Sequence, residues 1–306
     1  MPKPPGEINF QDSNIKLSVV ILNYNTRELL EQCLASLPDR PDYEIIVVDN
    51  ASTDDSVKMV GSLFPRVKIV RSKLNCGFTR GNNLARNFSR GEYVLFLNSD
   101  TKVFPKTLPC MVAFMDDDTA IGISTCRVDL ADGRFYYASH RGFPSPWNSL
   151  CYFSGLSRLF PRSKLFSGYT ATYLPLNTVH EIDACSGTFL LIRRRILNLI
   201  GWFDEDYYSY GEDIEMCYRV KQLGYKVMFN PEVRIVHYWG ASSGLKKVSR
   251  EVSKASREVK KLWHNARYEA MGIFYRKHYQ DKYPGFISRL VFGGIALEKY
   301  FSSFGL

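Results

Sequence analysis

Four short apolar runs punctuate the first hundred residues: Leu17–Leu22 (LSVVIL), Tyr43–Val48 (YEIIVV), Val67–Val70 (VKIV) and Tyr93–Leu97 (YVLFL). They are rich in β-branched and aromatic residues and show little apolar–polar alternation, the pattern of strands buried on both faces. Helix-length segments lie between them, at about 26–37, 54–64 and 79–90. Thr53 or Asp54 can cap the second of these, placing an acceptor oxygen near its unpaired N–H groups. Alternating strand and helix predicts an α/β fold with a mostly parallel sheet covered by helices.

Each run ends in polar residues: Asn23-Tyr24-Asn25, Asp49-Asn50, Arg71-Ser72 and Asn98-Ser99-Asp100. Ligands of such sheets bind beyond the carboxyl ends of the strands. Turn chemistry alone accounts for any one cluster, because Asn and Asp favour turns everywhere. Three clusters at one sheet edge point to a nucleotide or phosphate site. The remaining pattern predicts a helix over Pro105–Met115, a strand over Ile121–Thr125, and a hairpin over Arg127–Tyr137 about Ala131-Asp132-Gly133. Residues 138–178 are rich in Ser, Pro, Gly and aromatics and lack periodicity. They read as a long loop or small subdomain, often a binding element. Ile182–Ile192 reads as a strand broken by Cys185-Ser186-Gly187, where Gly187 allows close approach of a ligand or backbone. Ile214, Cys217, Tyr218, Val220 and Leu223 recur at helical spacing, so Glu212-Asp213 opens a helix that Gly224 stops. Carboxylates there either stabilise the positive helix end or carry chemistry.

Several function classes fall away. There is no GxxxxGK[ST] loop, no GxGxxG after the first strand and no GxSxG elbow. The seven cysteines are odd in number and form no CxxC pair, which fits a reducing compartment better than a disulfide framework or zinc ribbon. The opening MPKPPGEINFQD is polar, so no signal peptide is expected. The apolar stretch Leu290–Leu297 falls well short of the roughly 20 residues that span a bilayer. What remains is strand-end carboxylates and amides, which can hold a nucleoside diphosphate through Mg²⁺ or Mn²⁺. Asp100 is the foremost anchor.

The formal charge of +9 is unevenly spread. Residues 241–306 hold 13 Lys and Arg against 5 Asp and Glu, whereas residues 1–240 hold 27 against 26. Val248, Val252, Ala255, Val259 and Leu262 recur at helical spacing in this basic tail, and Trp263, Ala266, Ala270, Met271 and Phe274 extend the stripe. The stripe either covers the body of the protein or meets an anionic membrane surface. No nucleic-acid reader motif accompanies the charge.

Seven segments, in order, resemble glycosyltransferase family 2. They are Val20–Asn25, Val48–Asp54, Asn75–Asn83, Leu97–Asp100, Ser186–Arg194, Phe203-Asp204-Glu205, and Glu212–Glu215 with Arg219; His237 follows at the expected remove. The likeness covers about residues 17–240 and is greatest to the rhamnosyltransferase-like branch. It implies a GT-A fold and transfer of a sugar from a nucleotide donor with inversion, dTDP-rhamnose first and UDP-hexose or UDP-N-acetylhexosamine as alternatives. It implies a saccharide or polyprenyl-linked saccharide acceptor in cell-surface polysaccharide synthesis. The expected location is cytoplasmic, peripheral on the inner face of the plasma membrane. From a different class, a non-catalytic saccharide- or nucleic-acid-binding protein of the same fold is the alternative. The intact Asp49, Asp100 and Asp213 argue against it.

The resemblance also assigns roles. Asp49 accepts a hydrogen bond from the pyrimidine N3–H, and Asn23 and Tyr24 line the base pocket. Asn75, Gly77 and Asn82 shape the nucleotide cleft. Asn98 stands where the family often has Asp and is assigned to donor binding, while Asp100 and His237 are the expected Mg²⁺ or Mn²⁺ ligands. Asp213 is the general base, with Glu212 assisting or positioning the acceptor. Gly187, Trp202 and Trp239 are candidates for the sugar or acceptor, and Trp202, Tyr207, Tyr208 and Trp239 suit either sugar stacking or core packing. The expected division is an arm at 1–16, a glycosyltransferase domain at 17–240 (nucleotide-binding half 17–100, acceptor and catalytic half 101–240), and a basic helical region at 241–306.

Overall fold

A computed structural model describes residues 14–238 and 257–303. The first half runs β1 (Leu17–Asn23), α1 (Arg27–Ala35), β2 (Tyr43–Asp49), α2 (Ser56–Leu63), β3 (Lys68–Arg71), α3 (Gly77–Asn83) and β4 (Tyr93–Asn98). The second continues with β5 (Thr101–Val103), α4 (Thr107–Asp117), β6 (Ile121–Leu130), α5 (Pro146–Phe153), α6 (Leu156–Leu159), β7 (His180–Ile182) and β8 (Phe189–Arg193). It closes with α7 (Arg194–Ile200), α8 (Glu212–Gln222), β9 (Lys226–His237), α9 (Arg257–His278) and α10 (Gly285–Ser303).

One sheet carries the strands in the order β3-β2-β1-β4-β8-β6-β9-β5, with β7 on the first half of β9. β1 to β4 are parallel, as their apolar runs predict. The second half brings antiparallel pairs, β4 with β8, β6 with β8, and β5 and β7 with β9. Successive side chains of a strand point to opposite faces. Val19 and Ile21 therefore join one core with Leu95 and Leu97, while Val20 joins the other with Val94 and Phe96. Burying both faces explains why these strands show no polar alternation. Each fully buried aliphatic side chain contributes about 1.5–3 kcal/mol.

The chain builds β2 and β3 on one side of β1 and then crosses to lay β4 on the other. A crevice opens at such a reversal, between the carboxyl ends of the two strands. Asn23 and Asn98 end those strands.

Three local expectations are refined. The stretch Ile182–Ile192 divides into β7 and β8, with the Cys185-Ser186-Gly187 break between them. The hairpin about Gly133 is a tight turn, Gly133 N–H donating to Leu130 O at 2.9 Å, with a single bridge from Asp129 to Phe135 instead of a full return strand. The unpatterned 138–178 stretch contains α5 and α6.

The helix α9 packs on the α/β body. Ala270, Phe274, Tyr275 and Tyr279 belong to the same core as Val20 and Phe96, and Tyr218 of α8 packs edge-on to Phe274 at 5.7 Å. Lys277 pairs with Asp204 and Asp206, and Lys282 donates to Tyr218 Oη. For α9 the stripe therefore serves packing. The tail positions Val248, Val252 and Ala255 lie outside the described residues, as does Trp239. No described helix is long and apolar enough to cross a membrane.

Candidate active site

The carboxyl ends of β1 and β2 are tied by side chains. Asp49 is 3% exposed, and its carboxylate accepts from the Ser52 N–H (3.2 Å) and the Asn23 amide (3.4 Å). Asn23 also donates to Ser52 Oγ and accepts from Thr26 Oγ1, which contacts Ser99 Oγ at 2.9 Å. A continuous polar chain thus joins β2, β1 and the loop after β4. Tyr24 stands half-buried at the end of β1.

Asn50, directly after Asp49, organises the next loop. Its amide donates to Asn75 Oδ1 (2.9 Å) and Gly77 O (3.1 Å), and its carbonyl oxygen accepts from the Cys76 N–H. Its signal in the sequence was its position directly after a strand-ending Asp. Asn82 is buried, and its amide donates to Phe78 O, one turn back in α3, at 2.9 Å.

Gly77 has φ +84°, and a Cβ there would lie 2.6 Å from Tyr208 O. The Phe78 N–H donates to that same carbonyl at 2.9 Å. The loop from Asn75 to Gly77 is therefore pinned to the segment leading into α8. Gly77→Ala should lose at least about 2 kcal/mol, because left-handed backbone alone costs roughly 1–3 kcal/mol for a side-chain-bearing residue. Urea titration checks the stability loss, and nucleotide titration should show weakened binding.

Asn98 ends β4, and its N–H donates to Thr188 O at 3.2 Å. One residue earlier, the Gly187 N–H donates to Asp213 Oδ2 at 3.2 Å. Sheet register thus carries the β4 edge to Asp213 in two residues. Asp213 Oδ1 accepts from the Ile214 N–H, and Oδ2 also accepts from Arg141 Nη2 at 2.8 Å. Burial works against the Arg141 charge, but Asp213 and neighbouring tyrosines more than offset it, raising its pKa above the ordinary value. Arg141 comes from the unpatterned 138–178 stretch, and no periodicity marks it. Tyr136, at the foot of the hairpin, has its phenol pKa pushed up by burial, with Arg141 opposing and the Asp213 and Asp100 charges adding. It therefore stands within electrostatic reach of both carboxylates.

Glu212 is buried, and its Oε2 has no hydrogen-bond partner among the described residues. Burial first, and the adjacent Asp213 charge second, push its pKa up to about 8. The folded state therefore favours the protonated acid. Its contribution to stability is full below about 4.5, the ordinary value, and is lost as pH rises through about 8. Glu212→Gln mimics the protonated acid. Its melting temperature relative to wild type should rise steadily between pH 5 and 8; a constant difference would mean that Glu212 holds no extra proton.

Asp100 and His237 meet because β5 pairs with the end of β9, Thr101 opposite His237. His237 Nε2 lies 3.1 Å from Asp100 Oδ1 and 3.5 Å from the Asn98 amide. A carboxylate and an imidazole this close fit one Mg²⁺ or Mn²⁺ ion. Among the described residues no group of three or more His, Cys, Asp and Glu could hold a metal. An ion held by these two would need further oxygens from a ligand or from water, the usual mode for Mg²⁺.

Trp202 is corrected: it is 4% exposed and stands edge-on to Phe96 at 5.5 Å, in the core and out of reach of a sugar. Tyr207 is likewise core, at 1% exposure. Packing claims both because the segment before α8 must cover β4. Tyr208 instead backs the Gly77 loop, and Gly187 serves the site through its N–H.

A family model described as glycosyl transferase family 2 matches residues 18–201. The chain is 28% identical to the uncharacterized protein y4gI of Sinorhizobium fredii (strain NBRC 101917 / NGR234) over 81% of its own length and 27% of that protein's. It is 25% identical to the N-acetylglucosaminyl-diphospho-decaprenol L-rhamnosyltransferase of Mycobacterium tuberculosis (strain H37Rv), over 74% of its length and 78% of the relative's. Among solved structures, the mannosyltransferase PcManGT from Pyrobaculum calidifontis, in complex with GDP-Man and Mn²⁺, has a similar fold. It gives a TM-score of 0.55 at 18% identity, covering 93% of this chain and 69% of that one.

Proposed function

The chain belongs to glycosyl transferase family 2, and from that premise we propose that it moves L-rhamnose from dTDP-rhamnose to a lipid-linked saccharide, with inversion at the anomeric carbon. The observation that carries the mechanism is the Asp213 carboxylate, set by the Arg141 guanidinium and the Gly187 N–H two residues along from the donor edge of β4. The decaprenol-linked rhamnosyltransferase relative supports the choice of sugar and acceptor class.

In this reading the base of the nucleotide sits over Asn23, Tyr24 and Asp49, and the Asn50-braced loop of Asn75 to Gly77 walls its cleft. Asn98 hydrogen-bonds the donor. Asp213 removes the proton from the acceptor hydroxyl as that oxygen attacks the sugar from the face opposite the departing nucleotide. Protonated Glu212 is a hydrogen-bond donor beside it and positions the acceptor. Asp100 and His237 would hold the Mg²⁺ or Mn²⁺ ion, which supplies positive charge to the diphosphate leaving group. Purified protein mixed with a panel of dTDP- and UDP-sugars tests the reading. Nucleotide release from dTDP-rhamnose alone supports it, and release from a UDP-hexose or UDP-N-acetylhexosamine would replace the donor.

The metal assignment has its own check. Mn²⁺ should give a bound electron paramagnetic resonance signal in the presence of dTDP, and Asp100→Asn should weaken it at least about tenfold, in keeping with loss of a directly bound charged ligand. Chelation should stop turnover and Mg²⁺ or Mn²⁺ should restore it. The location proposed is the inner membrane face, with the tail at the lipid surface. The face of α10 with exposed Phe286, Leu290, Leu297, Tyr300 and Phe301 is the described part of that tail available for such contact.

A further inference from the structure

A second surface, far from the tail in sequence, carries the features of a lipid-facing platform. The α5–α6 segment exposes Trp147, Leu150, Phe153, Leu159, Phe160 and Leu165, with Leu159 and Leu165 at 72% and 60% exposure. These form a built surface. The Trp147 indole N–H donates to Leu165 O at 2.9 Å, Trp147 lies 6.2 Å from Phe166, and Phe166 lies 5.1 Å from Phe160. Beneath them, buried Ser167 donates to Ser157 O and Phe160 O, and Ser145 caps α5 through the Asn148 N–H.

Within the segment itself the charge has one sign. No Asp or Glu occurs between Asp132 and Glu181. Arg158, Arg162 and Lys164 are exposed beside the apolar residues and form no ion pair among the described residues. A second copy docking by the same patch about a two-fold axis would bring these cations against their own equivalents. An anionic lipid surface instead satisfies both components, since aromatic and aliphatic side chains enter the acyl boundary while Arg and Lys meet the headgroups.

The platform's root leads into the active site. The Gly142 N–H donates to Tyr169 O at 2.9 Å, and Arg141, the next residue back, holds Asp213. We infer that α5–α6 is a membrane-docking platform for anionic bilayers, which sets the Asp213 side of the cleft against the lipid that carries the acceptor. The acceptor part of this inference rests on the proposed function; the docking part does not.

The test uses full-length protein and flotation with vesicles of phosphatidylglycerol and phosphatidylcholine, without nucleotide sugar. Wild type should bind them and bind pure phosphatidylcholine far less. The triple variant Arg158→Gln/Arg162→Gln/Lys164→Gln should lose about fivefold in partition coefficient per cation, roughly 100-fold in all. Leu159→Ser/Leu165→Ser should lose about tenfold. Unchanged melting temperatures and nucleotide binding would show that both variants are folded. Undiminished flotation of both variants would overturn the inference and leave docking to the tail. Self-association of wild type in light scattering, abolished by Leu159→Ser/Leu165→Ser, would overturn it in favour of a second copy. Failure of donor hydrolysis with flotation intact would count against the proposed reaction and not against docking.

Discussion

Asp213→Asn should lower sugar transfer by about 10²–10⁴-fold, the range a positioned general base supplies, while leaving nucleotide binding within about twofold. The amide keeps the size of the carboxylate, and its one oxygen can still accept from either the Gly187 N–H or the Ile214 N–H, which the two carboxylate oxygens accept separately. It cannot take a proton from an acceptor hydroxyl. The groups proposed to hold the nucleotide, at Asn23, Asp49 and the Asn50-braced loop, sit on other strands and loops and have hydrogen bonds of their own. Single-turnover transfer and dTDP titration read the two effects separately. Turnover close to wild type would remove Asp213 from the mechanism.

Arg141→Gln should reduce kcat/KM at neutral pH by about 100-fold, with part of the loss recovered as pH rises. Arg141 is the charged partner of Asp213 at 2.8 Å, and both side chains are largely buried, at 15% and 12% side-chain exposure. Removing one member of such a pair typically costs 3–5 kcal/mol, because the remaining charge loses its compensation. Arg141 acts to lower the pKa of the neighbouring buried Glu212, so without it Glu212 should hold its proton more tightly. The acid limb of the pH–rate profile should therefore move to higher pH. A profile of unchanged shape with only a lower plateau would make Arg141 a packing residue. Arg141→Lys should restore part of the rate, since a point charge replaces the fork but not its second contact to Cys185 O.

The two variants differ in what the sequence disclosed. Asp213 stood in an acidic pair at the first turn of a helix whose apolar spacing was plain. Its surroundings matched a family pattern, so its position was readable, and the role proposed for it comes from that pattern. Arg141 stood in a stretch without period. Its significance comes from a hydrogen bond to a residue 72 positions away, a relation that local patterning does not encode. Asn50 falls between these cases, because its place after Asp49 was visible but its bonds to Asn75 and Gly77 were not.

Trp202 shows the opposite limit. An aromatic beside an active-site segment suits a sugar face and a core equally well, since both are apolar and flat. Only the packing against Phe96 decides between them. The basic tail divides in the same way. Its helical stripe was legible, but whether a stripe faces protein or lipid depends on what lies opposite. For α9 that is Tyr218 and the α8 core.

What the sequence determined by itself was therefore set by local period and by short-range chemistry. The strands β1 to β4, the burial of β1, β2 and β4 on both faces, the polar ends that gather at one edge, and the helix that begins at Glu212 all follow from residues within a few positions of one another. The tertiary structure decided which distant groups share a site: His237 against Asp100 through β5 and β9, Gly187 and Arg141 on Asp213, and Gly77 against Tyr208 O. Those pairings depend on strand order and register across the sheet. Strand order is fixed by how whole faces bury against each other, and no single segment contains that information.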